Sequence, residues 1–564
     1  MCNRNVCVFL LVGFVSILST LSASESLVIG KARVPNEIDN YIQEGMAAEK
    51  IEPSPICTDA EFLRRVYLDV GGAIPTAQEA TQFIADSATN KRAKLIDTLL
   101  QSERYADHWE VMWGDLLREH SNSKAKEGTV QGSYREWIRD ALKKNMPCDQ
   151  FAAKLIAASG NAEDNPAVNF YLRDMQDRVE TVNTVAQVFM GTSLACAQCH
   201  DHPFDKWTQD DFHHLMAFFG RVEVTKARKK KKGGDGISRV SENSSGEYRM
   251  PVEGDGANKK NKGNSGAEVE PVFPWNPQLK AEGSGSRREA LAKFVTGSRL
   301  FAQVQVNRLW KQLFGRGFVE PSDDFRAKNP ASNPELLDYL ADEFIKSKFD
   351  SKHVIRLILN SATYQRSSQP TAENREDKSL FSHQRLRRMT GEETFDSVLV
   401  ACGFDKGLED VPEVFQDTKG TGKKKGNGKI PGRLQGKNES MEWAADLATP
   451  SKPGSFMNEF NQPRRDVITV NRDDNGSISQ ALEMLNGRAV GDAIGRSPLA
   501  EKLAVSNSNT SQQVTALYLA FLSREPTADE IRIAGKYKDK DSLRLWVEDL
   551  EWVLLNTREF TFVK

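Results

Sequence analysis

Residues 189–218 read FMGTSLACAQCHDHPFDKWTQDDFHHLMAF, and the rest of the chain is understood from them outward. Upstream, Val179 to Met190 (VETVNTVAQVFM) carries a helical apolar pattern whose end delivers Cys196. Downstream, Thr208 opens a second helix, TQDDFHHLMAFF, with Asp210 and Asp211 suited to its positive N-terminus. Phe212, Leu215, Met216 and Phe219 lie on one face of that helix. Between the helices, Asp201-His202-Pro203-Phe204 must turn or extend, because proline disfavours helix in the residue before it. The centre is Cys196-Ala197-Gln198-Cys199-His200, the CxxCH string of covalent haem attachment. A random chain of this composition would hold roughly 0.001 such strings, so chance is a poor account of it.

The chemistry requires this spacing. Each thiol adds to one vinyl group of haem and leaves a thioether, and two intervening residues let one turn set both sulfurs along a porphyrin edge. His200 follows directly, so its imidazole can turn under the ring as the proximal iron ligand. The remaining candidates for a metal are His202, His213, His214 and Met216. His213 and His214 are about 100° apart around the helix axis and cannot share one direction. Two other readings stay open. Cys196 and Cys199 can close a short disulfide in an oxidising compartment. Alternatively, Cys196, Cys199, His200 and His202 can hold zinc or another transition metal, although zinc usually draws its ligands from two separated pairs.

The chain has 564 residues, a length that suggests two or three domains, with 27% charged residues and a formal net charge of −2. That balance makes no case for nucleic-acid or membrane-surface binding. Residues 1–23 read as a signal peptide: Arg4, an apolar run from Val6 to Leu21, then small residues around Ala23. No later stretch is apolar enough to span a bilayer, so an exported protein of the periplasm or cell surface is expected. Export suits covalent haem attachment, which takes place outside the bacterial cytoplasm. Five cysteines follow the leader, an odd number that argues against a disulfide-stapled scaffold.

The fold class expected is mainly α, with two helical domains joined by a polar, low-complexity linker. Residues 36–225 form the first domain. Thr58 to Glu61 and Thr76 to Glu79 read as capping boxes, and Gly71-Gly72 stops the helix between them. His108 and His120 flank an apolar stripe of Trp109, Trp113, Leu116 and Leu117, and read as packed histidines rather than ligands. Residues 226–286 are the basic, glycine-rich linker, with a small β-hairpin around Glu247 to Val252. Lys229 to Lys232 within it read as a solvated insertion. Residues 287–564 form the second helical domain, interrupted near 403–440 by a Lys/Gly insertion that includes Lys419 to Lys429. Ser332 with Glu335 reads as a third capping box. Asn307, Arg308, Arg316, Asp323, Asp324 and Arg326 form the best polar candidate site there, with a structural ion-pair network as the favoured reading. No GxSxG, HExxH or P-loop string occurs.

Three long motifs carry a family resemblance: LACAQCHDHPFDKWTQDDF, residues 307–344 (NRLWKQLFGRGFVEPSDDFRAKNPASNPELLDYLADEF) and residues 357–368 (LILNSATYQRSS). Together they resemble the exported two-part proteins abundant in planctomycetes. These pair a cytochrome-associated domain of unknown function with a second uncharacterised domain. The resemblance covers residues 36–225 and 285–560. It implies export and says little of activity, since the family has no established one. Many members carry an additional N-terminal cytochrome c-like domain, whereas about a dozen residues separate leader from first part here. Some relatives also carry cysteines before the SQALxxLN string, where this chain reads RRDVITVNRDDNGSISQALEMLN.

The leading expectation is an exported c-type haem protein, with Cys196, Cys199 and His200 binding haem c and passing electrons to another exported redox or surface protein. The alternative is a cell-surface binding or scaffold protein with a glycan or protein partner, whose Cys/His cluster is a structural metal or disulfide site. A third reading is a hydrolase using Asp323 and Asp324.

Overall fold

The helix Asp59–Gly71 is the element that both halves of the molecule share. Thr58 starts it, its Oγ1 accepting the Glu61 N–H at 3.2 Å. Gly72 ends it in the left-handed region, at φ 72°. The expected reciprocal box is half made, because the Glu61 carboxylate turns to Arg65 and to the N–H and hydroxyl of Ser368. Every residue from Phe62 to Gly71 is buried. Phe62, Leu63 and Val66 enter one core while Leu68 enters another.

This computed structural model describes residues 36–120, 133–174, 177–225, 238–250, 266–283, 285–404, 444–472, 475–538 and 542–564. The expected leader at 1–23, the lysine run Lys229 to Lys232 and the insertion stretch Lys419 to Lys429 lie outside those residues. The chain is mainly helical with a few short antiparallel strands, as its periodicity predicts. No described helix is long and apolar enough to cross a membrane.

Asn36–Lys564 forms one compact body with two apolar cores. The first gathers helices between Glu37 and Ala217 together with Arg287–Thr296, Arg299–Phe314, Pro334–Lys346 and Ser351–Leu359. The second is built from Gly391–Cys402 and the helices after Phe456, closed by Leu68, Ala73 and Ile74 from the N-terminal half. Helices from beyond residue 287 thus complete the core begun by the first 225 residues.

The polar stretch after residue 225 returns to the body. Strand Arg239–Glu242 pairs antiparallel with Val222–Thr225 on one side and with Gly160–Asn161 on the other. The expected hairpin near Glu247 is a single bridge, Arg249 with Glu268. The pairing falls earlier because Val222, Val224 and Val240 alternate inward and are buried, whereas 249 and its neighbours offer no such face. The helix Pro334–Lys346 is capped by Asn333, whose side chain accepts the Leu336 N–H at 3.0 Å, rather than by Ser332. Pro334 suits the first helical position, where no N–H is needed, and this shifts the cap by one residue.

Candidate functional site

The CxxCH turn is presented at the end of a helix that changes pitch. Arg178–Thr184 is α-helical, and Val185–Phe189 continues it as a π-helical turn, a feature often found beside functional sites. Gly191 then breaks the path at φ 55°. A Cβ there would lie 2.7 Å from both Phe325 and Val304, so glycine is required by conformation and by space. The Gly191 carbonyl accepts the Phe325 N–H at 2.9 Å, tying the approach to the site to the second half of the chain.

Cys196–Gln198 forms one 3-10 turn. Ala197 anchors it inward, while Cys196, Cys199 and His200 are exposed and both thiols are free. The imidazole of His200 has one nitrogen committed: Nδ1–H donates to the Asp201 carbonyl at 2.8 Å. A carbonyl can only accept, so this tautomer leaves the Nε2 lone pair outward. The Asp201 carboxylate accepts the Gln209 N–H at 2.9 Å, at the N-terminus of helix Gln209–Ala217. The His202 N–H donates to the Trp207 carbonyl at 2.8 Å and closes the intervening loop. Phe204 projects from this loop, 68% exposed. Trp207, at the end of the loop, is buried, its ring centroid 5.2 Å from that of Trp275.

The other sequence-predicted ligands are held by separate partners. His202 Nδ1 accepts the Phe204 N–H at 3.2 Å, so its proton is on Nε2 and its lone pair is used. His213 is buried, lies 2.7 Å from the Tyr248 hydroxyl through Nδ1, and stacks on that ring. Burial holds its pKa below the usual histidine range. His214 Nδ1 donates to the Glu270 carbonyl at 2.8 Å, leaving Nε2 as a lone-pair donor, as in His200. Met216 is 5% exposed and belongs to the core. Among the described residues, no three His, Cys, Asp or Glu side chains converge as a metal-binding group.

Cys196, Cys199 and His200 fit haem by donor chemistry: two free thiols on one turn, and an adjacent imidazole with its outer nitrogen free and its inner nitrogen oriented by a carbonyl. His214 has the same tautomer, its Nδ1–H also given to a backbone carbonyl.

The second polar candidate separates into structural ties. Asn307, fully buried, accepts the Phe318 and Val319 N–H groups at 2.7 and 3.1 Å and donates to the Val319 carbonyl at 3.0 Å. Asp323 accepts from Gln187, while Asp324 pairs with Arg326 at 2.9 Å and receives Asn329. The carboxylates therefore serve separate partners.

What sequence reading missed is a buried charge network spanning the halves. Arg465 joins Asp115 at 2.9 Å and Glu119 at 2.7 Å; Arg472 joins Asp115 at 2.7 Å and reaches Glu392; Arg135 joins Glu119 at 2.9 Å. Glu110 lies among them fully buried, and desolvation pushes its carboxyl well above the usual range against the pull of Arg135 and Arg465. No spacing links residues 350 positions apart, and the only signal was the number of charged residues in otherwise apolar helices. His108 and His120 are packed, as their setting predicts: His108 is half-buried with its Nε2 enclosed, and His120 Nε2–H donates to the Arg465 carbonyl at 3.0 Å.

Comparison with known proteins matches the sequence in two regions. Residues 37–224 match the family model described as PSCyt2, a protein of unknown function (DUF1549). Residues 287–537 match that described as PSD1, a protein of unknown function (DUF1553). No curated protein and no solved structure matches the chain. The chain therefore carries two family domains of unknown function, PSCyt2 and then PSD1, in the N- to C-terminal order of a two-domain family.

Proposed function

We propose that the Cys196–His200 turn is a covalent haem attachment site and that the protein is an exported electron-transfer component. The reading carries with it the planctomycete membership and the export expected from the sequence. The observation that supports it best is the His200 imidazole, whose Nδ1–H is held by the Asp201 carbonyl while Nε2 is free. Metal-ligating histidines are oriented in this way, because the second hydrogen bond sets the tautomer and raises the basicity of the ligating nitrogen. When bound, haem supplies a one-electron couple. The chain's own part is to attach and orient it. Cys196 and Cys199 each add S–H across a vinyl C=C, with no leaving group. His200 offers its lone pair, and the exposed Phe204 gives an apolar surface beside the turn. His214, with its Nε2 also free, is proposed as the second ligand in preference to the buried Met216. A group attached at this exposed turn would be accessible to a redox partner.

The test is an absorption spectrum of the full chain, expressed with the haem-attachment machinery and read after reduction and again after denaturation. Colour retained by the denatured chain and lost in the Cys196→Ser/Cys199→Ser variant is the expected result. A colourless protein rejects the haem reading. Bound zinc that is lost in the same variant would then establish the scaffold alternative.

A further inference from the structure

Helix Glu103–Leu116 and helix Arg299–Phe314 meet around a small, largely enclosed cavity of about 20 Å³. Its wall includes Tyr105, Trp109, Cys148, Gln305, Arg308 and Ser351. Arg308 is 5% exposed. Its Nη1 donates to the Val188 carbonyl at 2.8 Å and to Gln305 Oε1 at 3.0 Å. Its Nε and Nη2 are buried with no acceptor, and so is the indole Nε1 of Trp109 on the same wall. Among the described residues Arg308 forms no ion pair. Asp323, the acid that acts on it electrostatically, gives its carboxylate to Gln187. Burial lowers the Arg308 pKa only to about 10, so the group is a cation at neutral pH.

A buried cation that no carboxylate meets in a direct ion pair is costly, and buried N–H groups without acceptors add to that cost. The donor set says what would relieve it. Arginine and the indole can only donate, and the hydroxyls of Tyr105 and Ser351 and the thiol of Cys148 can each donate as well. A water molecule there could place its O–H groups on the Tyr105 and Ser351 hydroxyls or on Gln305 Oε1, but it would bring no charge to the cation. A monatomic anion needs donors alone. The volume admits one water-sized body and excludes sulfate or phosphate.

We propose that this cavity is a chloride site, the anion held by the free N–H groups of Arg308 and by the indole N–H of Trp109. The site joins the two family domains at their shared core. Arg308 and Gln305 also both hold the Val188 carbonyl, so the anion lies one hydrogen bond from the π-helical turn that leads to Cys196.

The test compares the full chain in chloride and in sulfate at equal ionic strength, and soaks or grows crystals in bromide. The proposal expects a Tm higher in 150 mM chloride by about 3 °C, the scale for a ligand well above its Kd in a protein of this size. It also expects an anomalous bromide peak within hydrogen-bond distance of Arg308 and Trp109. The Trp109→Phe variant, which keeps an aromatic ring and removes the N–H, should shrink the chloride increment, and Arg308→Met should abolish it. Should either variant fail to fold, the bromide peak in the wild type decides alone. A peak elsewhere only, marking an adventitious ion only, or a water in the cavity with equal Tm in both salts, would overturn the proposal.

Discussion

At position 72 the chain needs glycine for two reasons at once. Its φ of 72° lies in the left-handed region, and a Cβ built there would fall 2.6 Å from His108 Nδ1. The Gly72→Ala variant combines backbone strain with displacement of a packed, half-buried ring, and a loss of about 2–4 kcal/mol is expected by chemical denaturation. A loss below about 1 kcal/mol would mean that the helix end relaxes freely. His108 itself makes stability depend on pH. Burial holds its pKa down to about 4, against 6.5 for the ordinary group. The unfolded chain therefore binds the proton more readily. The contribution of neutral His108 is present in full above pH 6.5 and is lost as pH falls through 4, on the order of 3 kcal/mol. Glu551 has the opposite sign. Burial raises it to about 8, with one oxygen bonded to the Ser497 hydroxyl and the other unpartnered. Its contribution is present below pH 4.5 and is lost as pH rises through 8. Tm profiles of His108→Gln and Glu551→Gln should accordingly flatten on the acid and alkaline sides respectively. Profiles parallel to that of the wild type would refute these assignments.

At the scale of elements, the local grammar of the helices was legible and their long-range partners were not. Thr76 with Glu79 makes the reciprocal capping box expected of it, and Gly315 stops its helix at φ 70°. Both depend on neighbours three or four residues away, which a sequence displays. The break between the two helices around Cys196 was legible too, because Pro203 disfavours helix in the residue before it. The helix Asp59–Gly71 shows what was hidden. Arg64 and Arg65 interrupt an apolar pattern, and beyond Glu61 one turn before Arg65 nothing nearby says why both are buried. Arg64 donates to the carbonyls of Phe521 and Phe560 at 2.9 and 2.7 Å. Arg65 donates to the carbonyls of Tyr364 and Arg366 at 2.7 and 3.0 Å, and to that of Lys564. Two planar forks thus satisfy carbonyls in segments about 300 to 500 residues downstream. Replacing Arg65 by Lys keeps the charge and loses the fork, so it should not rescue the chain. Arg65→Lys and Arg65→Met should both lose about 3 kcal/mol or more, read by denaturant midpoint. A wild-type midpoint in the lysine variant would show that charge alone suffices.

At the scale of the whole molecule, the residues after 286 are not free to fold by themselves. Trp310, Leu336, Phe344 and Ile358 belong to the same core as Phe62, Trp109 and Phe189. In return, Leu68, Ala73 and Ile74 close the core built by Phe395, Phe521 and Trp546. The charge network of Asp115, Glu119, Arg465 and Arg472 crosses between the same halves, with Asp115, Glu119 and Arg465 buried and Arg472 half-buried. Splitting them would expose both apolar faces and leave buried charges without partners, which costs far more than the marginal stability of a domain. The boundary between the two matched family regions is therefore a boundary of sequence rather than of folding. Residues 36–225 and 287–564 expressed separately should each be insoluble or molten, whereas the two expressed together should associate. The intact chain should unfold in one cooperative transition, with tryptophan fluorescence and far-ultraviolet dichroism coincident. Two resolved transitions, or a folded and monomeric fragment 287–564, would show that the shared core contributes little. The positions of Cys196 and Arg308 would then have to be maintained within one half alone.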